Sequence, residues 1–268
     1  MTRILGVDFS GASDAGRKIW IAEGRLSNSG AFDLMTCLPA IDLPGGGKAP
    51  AEAVPALARH IAGLGEARVG CDFPFGLPRA LVAARTWKSF ALRYAAEFAD
   101  ADAFRSVMRA RHDAREHKRM TDLVAKTPFN SYNLRLYRQT WWGIAGVLGP
   151  LVRSAAAIIR PQQKLVKDKP VLIEVCAACT LKSIDLYPPY KGPGAKQRRH
   201  RKQIVDGFID RGWLAVPDRR LRALLLENEG GDALDAVIGA VATAHADLTK
   251  DPDAHQRLEG RVYFEIGV

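Results

Sequence analysis

Two apolar runs in this chain each climb to a single carboxylate and break at once into a turn. In "RILGVDFSGA" (3–12) the acid is Asp8, and in "ARVGCDFPFGLP" (67–78) it is Asp72. A third run, "KPVLIEV" (169–175), carries Glu174 near its end. The segment "GGDALDAVIGAVATAHA" (230–246) opens with Asp232 and Asp235, three residues apart and so on one face of a helix. Acids at the carboxyl ends of buried strands stand where open α/β sheets bind ligands. Brought together they repel one another and require a cation. An all-oxygen set suits Mg²⁺ or Mn²⁺, not zinc. Two such ions can activate a water and stabilise the leaving oxygen in phosphodiester hydrolysis. Each acid also has a plain structural reading. Asp8 before Ser-Gly and Asp72 before Phe-Pro are good turn formers, and Asp232 with Asp235 can cap a helix.

The elements that must position these acids follow from periodicity. Residues 3–8 read as a buried strand, and 17–26 and 31–38 as two more joined by a turn-rich "SNSG". A loop at 43–50 precedes a helix from about Ala51 to Gly63. A strand ends at Asp72, and from 79 to 160 the pattern is helical, basic and aromatic, without a strand. The strand at 169–175 is followed by helices at about 196–211 and 218–228, the helix opening at 230–246, and a terminal strand at 261–266. This order describes an α/β protein with a mixed sheet flanked by helices. The 268 residues are expected to form a single domain, with 79–170 a helical insertion between the fourth and fifth strands.

Against these elements the motifs carry a resemblance. "GVDFSGA", "DFPFGLP", "IEVCAA" with a following "YKG", "GGDALDAVIGAVATA" and the final "EGRVYFE" are similar, in order and spacing, to the predicted nucleases grouped as domain of unknown function 429. That family is assigned an RNase H-like fold. The Asp-x-x-Asp-Ala helix also resembles the last motif of RuvC-type Holliday-junction resolvases. In such enzymes an acid on the first strand, one on the fourth and a pair on the last helix bind two divalent ions. The resemblance therefore implies Asp8, Asp72, Asp232 and Asp235 as catalytic metal ligands. Glu174 is similar to the glutamate of the family's Glu-Val-Tyr-Pro motif and joins the expected metal set, although Cys176 and Ala177 stand here where Tyr and Pro are usual.

The charge balance fits a polyanionic partner. Lys and Arg exceed Asp and Glu by ten, which favours nucleic acid without requiring it. "KGPGAKQRRHRK" (191–202) carries six basic residues and no acid. Its Lys191, Lys196, Arg198, Arg199 and Arg201, together with Ser10, are the expected phosphate contacts; a solvated face is the alternative. The run 105–119 is also rich in arginine. "NSYNLRLYRQTWW" (130–142) interleaves Tyr132, Tyr137, Trp141 and Trp142 with Arg135 and Arg138, a mixture suited to stacking on single-stranded bases or to core packing.

Other motifs carry less. "CAAC" (176–179) has redox spacing but is expected to be two small buried residues. A thiolate zinc site would need Cys37 and Cys71 to join it. "GGGK" (45–48) lacks the Ser/Thr and helix of a phosphate loop. His112, His117 and His200 lie among basic residues and are expected to be solvated, and His245 sits late in its helix. Four scattered cysteines fit a reducing, cytoplasmic setting. No signal-like run precedes Asp8, and Pro150 and Arg153 interrupt the most apolar later stretch, so neither a signal peptide nor a membrane span is expected.

The expectation is thus a divalent-metal nuclease acting on DNA or RNA. Two other classes remain open. "DFSG" loosely echoes the phosphate loop of actin-like and sugar-kinase ATPases, and a non-catalytic nucleic-acid-binding protein would use the same acids as caps and turns.

Overall fold

The computed structural model describes residues 2–111, 117–216 and 218–267. His112, and with it the middle of the basic run 105–119, lies outside the described residues. The sheet is mixed and eight-stranded, in the order β5-β6-β4-β1-β2-β3-β7, with β8 also paired to β6. Its strands are β1 (Arg3–Asp8), β2 (Trp20–Leu26), β3 (Phe32–Pro39), β4 (Ala67–Asp72), β5 (Ile158–Ile159), β6 (Val171–Val175), β7 (Leu214–Ala215) and β8 (Val262–Tyr263). β1, β2 and β3 form an antiparallel meander. β4 then pairs parallel to β1, and β6 parallel to β4.

Alternation along β1 explains why the sheet is covered on both faces. Leu5 and Val7 enter a core with the helix Pro50–Ala62 and the insertion, while Ile4 enters the opposite core with the helix Asp232–His245. Side chains two apart share a face, so Gly6 and Asp8 lie with Ile4 on the second side. The helix Asp232–His245 is apolar all round, as a helix buried on every side must be, and nearly all of it is buried.

The insertion is helical as the sequence implies, apart from the two-residue β5 that adds to the sheet edge beside β6. It folds as helices Trp87–Glu97, Ala101–Ala110, Met120–Val124 and Tyr137–Trp142, the last continuing through a π-helical turn to Arg153. Tyr94, Phe98 and Phe104 pack edge to face or tilted within it. Tyr132 and Tyr137 are buried in the same core, and Trp141 and Trp142 pack against it. That aromatic run is therefore core rather than a stacking surface. Among the short elements that escaped the sequence pattern are the helices Ala15–Lys18 (where the strand expected from 17 starts only at Trp20), Ala177–Ser183 and Ala254–Glu259, and β7. Each spans two turns or fewer, too short for a period to show. None of the described helices is long and apolar enough to cross a membrane.

Candidate functional site

Asp8 and Asp72 end their strands as register partners, as do Gly6 and Gly70 two residues earlier. All four therefore face the same side of the sheet. The two glycines explain what else lies there. A Cβ on Gly6 would stand 2.0 Å from the carbonyl oxygen of Ala236, and one on Gly70 would stand 1.9 Å from Thr243 Oγ1. Only glycine lets the helix Asp232–His245 lie directly on the backbone of β1 and β4. The helix N-terminus then falls over the strand ends, so that Asp232 and Asp235 line one cavity with Asp8 and Asp72. The repeated Gly-x-Asp at 6–8 and 70–72 was the sequence signal for this close approach.

The helix starts from Gly231, whose φ of 78° is left-handed and suits glycine. Its cap is Asn228, which accepts from the Ala233 N–H at 3.2 Å. Asp232 and Asp235 are thus free of the capping role. Asp235 is buried; it accepts from the Tyr190 hydroxyl at 2.5 Å and pairs with Lys191 Nζ at 2.6 Å.

The electrostatics mark the acids as one group. Burial pushes Asp8 well above the usual carboxylate range, and Asp235, Asp72 and Asp232 push it further while Lys191 pulls it down. Burial, then Asp235, lift Asp72 to about 7, against Lys191 and the Ala177 backbone N–H that it accepts from. Asp232 is raised by burial and Asp235. Burial disfavours the Lys191 ammonium, yet Asp235 and Asp8 more than offset it and hold its pKa above the ordinary value. Lys191 is the counter-cation of this cluster. Among the described residues no three Asp, Glu, His or Cys side chains form a ready-made cage for a metal ion.

Glu174, the fifth acid expected in the metal set, lines the same cavity and adds to the repulsion on Asp72, but its oxygens are engaged by other partners. Its oxygens accept from Arg119 Nη2 at 2.5 Å, Arg119 Nη1 at 2.8 Å and the Phe75 N–H at 2.9 Å. Arg119 also bonds both oxygens of Asp122 and the Glu259 carbonyl. This buried fork ties the insertion to β6, and its partner, some fifty residues away in sequence, gave no local signal.

The expected phosphate contacts divide. Ser10 lines the cavity over the acids, and Lys191 pairs with Asp235 there. Lys196 and Arg199 are exposed on the helix Ala195–Asp210. Arg198 is paired with Glu227 at 2.6 Å. Arg201 is buried and donates to the carbonyls of Leu226, Tyr190 and Gly192, so it braces the loop that carries Lys191 and cannot reach a phosphate. Cys176 and Cys179 form a disulfide, correcting the expectation of two separate buried thiols. The first turn of the helix Ala177–Ser183 holds their Cα atoms 5.2 Å apart, within disulfide reach.

The cavity above the acids has a volume of about 480 Å³. Its far wall comes from the insertion: Phe129, Arg135, Leu136 and Gln139 line it. Gln139 anchors that wall by donating to the Asp72 carbonyl, and Gly143 lets the same helix pack closely on Phe73.

No protein-family model matches this chain, and no curated protein or solved structure is significantly similar to it.

Proposed function

We propose that this protein is a divalent-metal-dependent nuclease of RNase H-like architecture, cutting phosphodiester bonds of DNA or RNA. The observation that carries the reading is that Asp8 and Asp72, at the carboxyl ends of two central strands, share one cavity with Asp232 and Asp235, over the register-paired glycines that admit the helix. Acids on the first and fourth strands and on a late helix are the set that the resemblance implies. The β1–β3 meander followed by parallel β4 and β6 supports the same architecture.

The donor set is all oxygen and fits Mg²⁺ or Mn²⁺. Asp8, Asp72, Asp232 and Asp235 would hold the ions, which supply a water of lowered pKa and positive charge at the leaving oxygen. Burial makes four negative charges costly in one place without compensation, and this is the condition that favours cation binding. Lys191, which pairs with Asp235 and lines the cavity, would be the residue to contact a phosphate oxygen. Tyr190 holds Asp235 in orientation through its hydroxyl. Ser10 presents a further polar contact at the cavity floor.

The test is cleavage of labelled single strands, duplexes and junctions of DNA and RNA in Mn²⁺, Mg²⁺ or EDTA. Metal-dependent cutting is expected, and Asp8→Asn should abolish it while leaving the far-UV spectrum intact. Cleavage by the folded Asn variant at the wild-type rate would remove Asp8 from the mechanism. Stabilisation by ATP, with no cutting of any substrate, would favour the ATPase class instead.

A further inference from the structure

The insertion does more than cover a core: it walls the site at the carboxyl ends of β1 and β4. The cavity volume of about 480 Å³ is that of a sphere about 10 Å across, narrower than the roughly 12 Å major groove of a B-form duplex alone. It lies within the size range of sites for single small molecules, and a nucleotide or two would fill it.

Its walls carry flat aromatic surface on both sides. On the insertion side the Arg135 guanidinium lies 5.2 Å from the Phe129 ring, and both residues face the cavity. On the other side stands Tyr187, about half exposed and edge-on to Tyr190 at 6.3 Å. Tyr190 in turn bonds Asp235, so Tyr187 is one ring away from the acids. Each wall is thus tied to the acid cluster, one through Gln139 and Asp72, the other through Tyr190 and Asp235. Aromatic faces and a guanidinium beside the acids and Lys191 are what unstacked bases and their phosphates would use. A paired base offers no free face to either wall.

From this geometry we propose that the site takes an unpaired nucleic-acid strand, one or two nucleotides at a time, with bases against Phe129–Arg135 and Tyr187. A continuous duplex is excluded from the acids by the insertion. The inference rests on the nuclease reading and narrows it to single-stranded substrate, as a free strand or a frayed end.

The test compares a labelled thymidine dodecamer with the same strand in a blunt duplex, binding being measured by anisotropy with Ca²⁺ in place of Mg²⁺. The wild type should bind the single strand at least about tenfold more tightly than the duplex. Phe129→Ala and Tyr187→Ala should each weaken single-strand binding by roughly tenfold, the scale of losing one stacked base. Both should keep the wild-type rise in melting temperature on adding Mg²⁺, which shows that the variants fold and that the acids are intact. Equal affinity for duplex and single strand, or wild-type binding by both variants, would overturn the inference and leave the nuclease reading standing. Binding of neither probe, with melting raised by Mg²⁺, would also overturn it. Binding of neither probe with no response to Mg²⁺ would defeat the nuclease reading itself.

Discussion

Replacing Asp72 by Asn should remove a pH dependence that the metal-free protein owes to its crowded acids. Asp72 rises from 3.8 to about 7, chiefly through burial and secondly through Asp235. A carboxyl raised in the folded state keeps its proton at pH values where the unfolded chain has lost it. The native state then binds more protons, and stability falls as pH rises between the two values. The stabilising contribution is complete below about pH 4 and gone above about pH 7. A shift of about three units at about 1.4 kcal/mol each sets a ceiling of about 4 kcal/mol. Solvent at the half-buried strand end and protons shared with Asp8 reduce this to about 2 kcal/mol. An amide of the same shape has no such fall. Urea unfolding of both proteins in EDTA, from about pH 4 to about pH 8, isolates the effect, because titrating groups not coupled to Asp72 cancel in the difference. The Asn variant should gain about 2 kcal/mol on the wild type across that window. In saturating Mg²⁺ the gain should vanish or reverse, since a bound cation favours the ionised acid. A difference independent of pH in EDTA would refute the account of Asp72 as one of a mutually repelling set.

Other consequences are equally open to measurement. Lys191→Met removes the counter-cation 2.6 Å from Asp235; it should lower the metal-free melting temperature and tighten Mn²⁺ binding by roughly five- to tenfold, about 1 kcal/mol for a partly exposed charge. Calorimetric titration giving unchanged or weaker Mn²⁺ affinity would contradict that role. Glu174→Gln breaks the buried fork to Arg119 and should cost about 3–5 kcal/mol in denaturant unfolding without altering the gain from Mg²⁺; a metal ligand would show a reduced gain. Lys196→Gln with Arg199→Gln should lessen the salt slope of nucleic-acid binding by about 0.7 to 0.9 for each phosphate that is no longer neutralised, and an unaltered slope would make that helix face merely solvated. Arg201→Gln should act instead on stability, because its buried guanidinium satisfies three carbonyls.

Local sequence pattern specifies the strands that end at Asp8 and Asp72, the helix over the cavity and the helical character of the insertion. These elements were legible because each depends on a local period: apolar runs cut by turn residues, or a long apolar segment opened by Gly-Gly. The placement of acids at strand ends was legible for the same reason. Which polar groups meet is settled by packing alone. Glu174 and Asp72 end similar strands, yet Glu174 is held by Arg119 and Asp72 lies with Asp8 and Asp235, because the insertion delivers a guanidinium to one and a helix approaches the other. Lys191 and Arg201 belong to one basic run, but Lys191 reaches an acid while Arg201 is buried among carbonyls. The aromatic run at 130–142 went largely into the core, and Phe129 with Arg135 took the cavity wall. Local pattern fixes which way a side chain points along its own element. Partners far away in sequence are chosen when packing brings two elements together, and at this site that depends on the missing Cβ atoms of Gly6 and Gly70.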